Sequence, residues 1–217
     1  MNSTNLMSVV VLISGSGSNL QAIIDGMQSG QLPIQISAVI SNKADVKGLE
    51  RAANASIPTH VINHKEFSSR EAFDRKLMAT IDQHKPQLVV LAGFMRILTE
   101  EFTNHYLGRM INIHPSLLPK YQGLHTHQRA IDAGDSHHGA SVHFVTAELD
   151  GGPVIVQAKV AIDDQETADT LAAKVLKFEH QIFPQTVQWF AEHRLTMEGN
   201  QALLDGKPLD KTGFQWN

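Results

Sequence analysis

The sequence predicts an α/β protein: an open, mostly parallel twisted sheet with helices on both faces and antiparallel additions in the C-terminal half. Three observations carry that prediction. Short apolar, β-branched runs alternate with segments of helical periodicity through the first half of the chain. Those runs are apolar at nearly every position, as strands buried on both faces require. After residue 139, two strand-like runs follow one another across an LDGG turn with no helix between them, which calls for a hairpin-like addition to the sheet.

The elements follow in order. SVVVLIS (8–14) reads as the first strand, and residues 19–29 as the first helix, with Ser18 as its N-cap. IQISAVIS (34–41) is the second strand and THVIN (59–63) a short third. Residues 68–84 open with SSRE, near capping-box spacing, and carry Phe73, Leu77 and Ile81 at every fourth position, so one helix face packs on the sheet. QLVVLAG (87–93) and MINIH (110–114) continue the parallel series; GASVHFVTAE (139–148) and GPVIVQAKVAI (152–162) form the later pair. A helix from about Gln165 to Arg194 closes the fold, and a short tail, 196–217, follows. Strict strand–helix alternation implies right-handed crossovers, with ligands beyond the carboxyl ends of the strands.

Composition bounds the function. The 217 residues suit a single domain spanning 1–217, and 42% hydrophobic with 18% charged residues is the balance of a soluble globular protein. A net charge of -4 argues against a nucleic-acid partner, whose phosphates want a basic face. There is no cysteine, so neither disulfides nor thiolate chemistry are available, and the cytoplasm is the expected compartment. The N-terminal MNSTNLMSVVVLIS shows no basic leader or cleavage site, and its apolar run falls short of the roughly 20 residues that span a bilayer. No membrane partner is expected.

The segment VVVLISGSGSNLQAII (9–24) joins a strand to a helix through a Gly-Ser turn. Small residues there let backbone N–H groups approach an anion, and the helix N-terminus adds its dipole. The turn lacks the dinucleotide fingerprint, since Leu20 stands where the third glycine belongs and the second strand runs into Ser41-Asn42-Lys43 without an acidic residue. It lacks the Gly-Lys-Ser/Thr of a P-loop as well. The segment alone leaves open an anion site and a tight ligand-free turn.

In MINIHPSLLPKYQG (110–123), alternation places Asn112 and His114 on one face of a strand that ends at Pro115. Two polar residues at a strand end can simply satisfy local backbone groups. A carboxylate, however, enters from Asp150, set before Gly151, Gly152 and Pro153. A carboxylate beside an imidazole supports its protonated form, and a carboxamide donates to a developing oxyanion, a combination suited to carbonyl transfer. No activated nucleophile accompanies them: Ser14, Ser16 and Ser18 lie in the glycine turn, and Ser116 has no G-x-S-x-G around it. Direct attack by a substrate amine or by water follows.

Twelve histidines raise the question of a metal, but His125, His127, His137 and His138 match no zinc pattern and are expected as solvated loop residues; no metal is expected. Arg70 and Lys47 read as surface charges unless a ligand reaches them. The segment Ala92 to Leu98 follows a strand and either lines a pocket for a flat ring or packs in the core.

From Val9 to about Arg194, the segments NKADVKGLERA, VVLAGFMRILT, INIHPSLLPKYQGLHTHQRAI and GASVHFVTAELDGGPVIVQAKV resemble, in order and spacing, the phosphoribosylglycinamide formyltransferases (glycinamide ribonucleotide transformylases), folate-dependent enzymes of de novo purine (IMP) synthesis. The wider formyltransferase group shares the NIHPSLLP and LDGGPI-like elements, whereas KYQGLHTH points to this member.

The resemblance implies a Rossmann-like formyltransferase fold. It implies attack by the amine of glycinamide ribonucleotide on the formyl carbon of 10-formyltetrahydrofolate, the co-substrate, with no metal. Asn112, His114 and Asp150 are then the catalytic trio. His114 and Asn112 stabilise the oxyanion, and Asp150 holds the imidazolium and helps deprotonate the amine. Gly15, Ser16, Gly17, Ser18 and Asn19 are expected to bind the substrate phosphate, with Lys177 and Glu179 completing the ribonucleotide pocket. Folate is expected near Arg70, Met95, Arg96, Ile97, Leu98, Asn112, Thr146, Ala147, Glu148, Leu149 and Asp150. The N-terminal half, about 1–100, thus binds phosphate, and the half from about 101 to 195 carries catalysis and folate.

A monomer or homodimer is expected. The sequence departs from the family at Ser16, where asparagine is frequent, and at Gln122, where proline is usual. The loop from about Ser116 to His137 is expected to be mobile and responsive to pH. Three rivals remain. Formyltetrahydrofolate deformylase uses water as acceptor and carries an additional N-terminal regulatory domain. Methionyl-tRNA formyltransferase needs a C-terminal RNA-binding domain. A non-catalytic phosphate-binding module would leave the trio without a role.

Overall fold

The computed structural model describes residues 6–216; residues 1–5, read above as leader-free, and Asn217 at the end of the tail lie outside the described residues. The chain divides into two compact units, Met1–Asn112 and Ile113–Asn217.

The first unit is a parallel α/β arrangement. Its strands are β1 (Met7–Ile13), β2 (Ile34–Ser41), β3 (Thr59–Val61), β4 (Leu88–Leu91) and the start of β5 (Met110–His114), in the order β3-β2-β1-β4-β5. All four ladders are parallel. Val9 to Ile13 of β1 are fully buried, as the unbroken apolar run requires of a strand paired on both edges. The helices are α1 (Ser18–Gln28), α2 (Lys47–Asn54), α3 (Arg70–Gln83) and α4 (Glu100–His105). Phe73, Leu77 and Ile81 are buried on α3, the face their spacing predicts, and Ser69 caps that helix by accepting from the Ala72 N–H at 3.1 Å.

The start of α1 corrects the expectation. Its N-cap is Gly17, in the left-handed region with φ 68°, and no side chain caps it. A Cβ at Gly17 would lie 2.5 Å from the Gly48 Cα, so the approach of α2 to this turn excludes every other residue. The short polar helices α2 and α4 were not anticipated; α4 is set by Thr99, whose hydroxyl accepts from the Phe102 N–H at 3.2 Å.

The second unit changes pairing. β6 (His137–Phe144) and β7 (Val154–Ala161) run antiparallel, and the register shifts between Val142 and His143. Helix α5 (Thr126–Asp132) lies between β5 and β6, and α6 (Ala168–Ala191) packs on β6 and β7. A capping box of Thr167 and Thr170 opens α6. The residues expected as a tail are structured: β8 (Leu195–Glu198), β9 (Gln201–Leu204) and β10 (Lys207–Pro208) form a small antiparallel sheet, and β11 (Phe214–Trp216) lies parallel to β7. The ladders are mostly parallel, with the antiparallel pairs in the C-terminal part, as the predicted class requires.

Candidate active site

Strand β5 alternates Met110 and Ile111 in the core with Asn112 half-buried, then ends on His114, of which 6% is exposed. The His114 Nδ1 faces the Asp150 Oδ2 at 3.6 Å. Asp150 is held by an unusual backbone: its φ is 50°, and a Cβ at Gly152 would lie 1.9 Å from the Phe144 carbonyl oxygen. The Asp-Gly-Gly-Pro turn therefore closes hard against the end of β6 and fixes the carboxylate.

A second histidine reaches the same carboxylate. His143 Nε2 lies 3.8 Å from Asp150 Oδ1, and the bulge before His143 re-aims its side chain. Its Nδ1 donates to the Phe144 carbonyl at 2.8 Å, so in the neutral ring Nε2 carries the lone pair. Burial holds His143 well below the ordinary imidazole range, against the pull of Asp150. His143 is therefore neutral at pH 7 and leaves the Asp150 charge to His114.

The loop after β5 touches both partners. His114 Nε2 donates to the Tyr121 carbonyl at 2.9 Å, and the Gly123 N–H donates to Asp150 Oδ2 at 2.9 Å. Gln122, one of the family departures, donates from Nε2 to the Asp150 carbonyl at 3.3 Å, a bond that proline cannot make. The loop start is anchored by buried polar groups: Ser141 Oγ donates to the Ser116 carbonyl at 2.6 Å, and Gln157 Nε2 donates to the Leu118 carbonyl at 2.7 Å.

The loop histidines divide. His125 and His137 are exposed as expected, but His138 is buried and its ring lies 5.0 Å from that of the half-buried His127. Burial first, and the neighbouring His127 second, push His138 down to about 4; burial and the His114 charge lower His127. An opened loop, where imidazoles keep their ordinary affinity, takes up protons that the closed loop refuses. Closure is therefore fully stable above about pH 6.5 and weakens as pH falls toward 4. Hydrogen exchange in residues 116–137, corrected for intrinsic rates, is expected to show protection falling about fourfold between pH 8 and pH 6 through His138, with His127 adding to the fall. Equal protection at the two pH values would contradict this.

In the first unit, the turn from Gly15 to Asn19 precedes α1. The sequence did not single out the cation beside it. Arg51, on the unanticipated α2, donates from Nε to the Ser16 carbonyl at 2.9 Å and from Nη1 to Gln21 Oε1 at 3.2 Å. It brings positive charge to a turn whose N–H groups suit an anion. Arg51→Met is expected to raise KM for a phosphorylated substrate about tenfold with kcat little changed, read from steady-state kinetics. Ser14 was likewise underrated: its hydroxyl bonds Asn42 Oδ1 at 2.5 Å and accepts from the Met95 N–H at 2.8 Å, linking the ends of β1, β2 and β4.

The other expected residues are spread over the two units. Ala92 and Phe94 pack in the core, whereas Met95 and Ile97 are 57% and 56% exposed, so core packing accounts for only part of the segment. Arg70 is exposed, and Arg96 and Leu98 are half-buried. Thr146 is half-buried, and Ala147, Glu148 and Leu149 are exposed beside Asp150. Lys177 is exposed and Glu179 buried on α6; two positions apart, they lie on opposite helix faces and are not brought together. Lys47 is exposed at the start of α2. Among the described residues no three His, Asp or Glu side chains group as metal ligands, and no helix is long and apolar enough to cross a membrane.

A parallel α/β unit with an anion-suited turn, followed by a buried His–Asp pair without a side-chain nucleophile, defines a group-transfer enzyme acting on an activated carbonyl. The comparisons specify which. Residues 7–187 match the formyl transferase family, and the chain belongs to it. The phosphoribosylglycinamide formyltransferase of Escherichia coli K12 is 56% identical over 208 residues, 96% of this chain and 98% of that protein. That of Haemophilus influenzae is 48% identical over 209 residues, covering 96% and 99%. The solved phosphoribosylglycinamide formyltransferase of Coxiella burnetii is 56% identical, with a TM-score of 0.94 over 97% of this chain and 99% of that one.

Proposed function

We infer that this chain transfers the formyl group of 10-formyltetrahydrofolate to the amine of glycinamide ribonucleotide, giving N-formylglycinamide ribonucleotide and tetrahydrofolate in purine biosynthesis. Near-full-length identity to enzymes of that name supports the activity. The observation that carries the chemistry is the buried pairing of His114 with Asp150 in a chain that has no cysteine.

The amine nitrogen attacks the formyl carbon, the C–N bond forms, and the carbonyl electron pair moves onto oxygen. His114 and the Asn112 carboxamide stabilise that oxyanion, with Asp150 balancing the imidazolium charge. Asp150 relays the proton lost by the amine. As the oxyanion collapses, the bond from carbon to the folate N10 breaks, and N10 takes a proton. In the first unit, Gly15 to Asn19 bind the ribonucleotide phosphate with Arg51 in support, and Arg70 and Met95 to Leu98 contact the folate. In the second unit, Glu179 is assigned to the ribonucleotide and Thr146 to Asp150 to the folate. The enzyme works in the cytoplasm as a monomer or homodimer.

The test is the absorbance change on tetrahydrofolate release. Release that requires the ribonucleotide is expected; release without it would make the enzyme a deformylase, and no release at all would leave an anion-binding module.

A further inference from the structure

The carboxylate of Asp74 has no part in the roles assigned above. It lies on α3 one turn beyond Arg70 and is 1% exposed. Its Oδ2 accepts from the Thr99 N–H at 2.6 Å, while Oδ1 is buried without a hydrogen bond. Burial pushes this carboxyl above its ordinary range, and the Thr99 N–H, the Thr99 hydroxyl and the charges of Arg70 and Arg96 only partly restore it. Among the described residues neither guanidinium forms an ion pair with it.

Arg96 shows the complementary feature. Its Nε is buried without a hydrogen-bond partner, and its guanidinium carbon lies 5.9 Å from the centroid of the Phe73 ring, the residue next to Asp74. A carboxylate oxygen and the guanidinium Nε–H thus stand within electrostatic range, both buried and both without a hydrogen bond, so the ligand-facing N–H groups are those of the half-buried remainder of the guanidinium. Each arrangement of that kind destabilises the fold, because a buried charge is tolerated only when paired. A residue kept for the fold alone would close the pair. An open pair holds the arginine by charge while its N–H groups remain available to a ligand.

We propose that Asp74 is a positioning residue for the folate site: it steadies the Arg96 guanidinium over Phe73 for an anionic group of the co-substrate, and pins the end of the Met95–Leu98 segment through Thr99. The proposal rests on the folate reading given above. It assigns Asp74 a cost in stability and a gain in binding, a combination that separates it from a structural residue.

The experiment uses Asp74→Asn in the full chain, with tetrahydrofolate as the binding probe in calorimetry. Asparagine still offers an oxygen to the Thr99 N–H but carries no charge. Tetrahydrofolate Kd and KM for the formyl donor are expected to rise about tenfold, with kcat and KM for the ribonucleotide within about twofold. The melting temperature is expected to hold or rise, since the burial of a charge is removed. In an Arg96→Met background the same change is expected to add nothing to Kd. A lowered melting temperature with kcat and both KM values equally damaged would overturn the proposal, as would an unchanged Kd. A wild type that binds no tetrahydrofolate would overturn the folate reading itself, and the proposal with it.

Discussion

His114→Ala is expected to lower kcat by about three orders of magnitude while KM for both substrates changes only a few-fold. The imidazole is the one titratable group at the end of β5, and its two nitrogens face the Tyr121 carbonyl and the Asp150 carboxylate. Without it, in the proposed mechanism, the oxyanion keeps only the Asn112 carboxamide, and Asp150 becomes a buried charge facing no cation. The deletion also leaves the Tyr121 carbonyl without its donor, at a cost of about 1–2 kcal/mol in stability. Melting curves must therefore accompany the kinetics. A kcat loss with a folded variant supports the role, and a kcat within tenfold of wild type would remove it.

Asp150→Asn is expected to cost about two to three orders of magnitude in kcat. Its value as a test lies in what it preserves. Asparagine keeps an oxygen for the Gly123 N–H and fits the left-handed backbone at φ 50°, so the turn survives. What disappears is the charge that, in the proposed mechanism, balances the His114 imidazolium and accepts the amine proton. KM for both substrates is expected to change only a few-fold, since the turn and its hydrogen bond to Gly123 remain. A kcat within tenfold of wild type would assign Asp150 a positional role only.

The legible parts of the fold were those set by local pattern. Strands β2 and β5 fall at the predicted residues because unbroken apolar runs admit few other readings, and the buried face of α3 follows from its spacing. The misplaced cap of α1 depends on a contact with Gly48, 31 positions away in the chain, that no local pattern encodes. Helix α5 and the tail strands are short and polar, and tertiary pairing stabilises them more than propensity does.

The site divides along the same line. Asn112, His114 and Asp150 stand out as candidates in the sequence because polar residues on a buried strand and an Asp before two glycines break an apolar pattern, and the structure pairs His114 with Asp150. Arg51, Ser14 and Asp74 do not, because their meaning comes from partners such as Ser16, Met95 and Thr99. Burial of His138 was hidden too: a histidine beside an exposed histidine looks solvated until β6 turns it inward.

In the proposed reaction the formyl carbon passes directly from folate to the ribonucleotide amine. Supplying 10-formyltetrahydrofolate with an isotopically labelled formyl carbon, together with glycinamide ribonucleotide, and following the label by mass spectrometry tests it. The label is expected on the ribonucleotide in step with tetrahydrofolate release. Label recovered as formate, with the ribonucleotide unmodified, would contradict it.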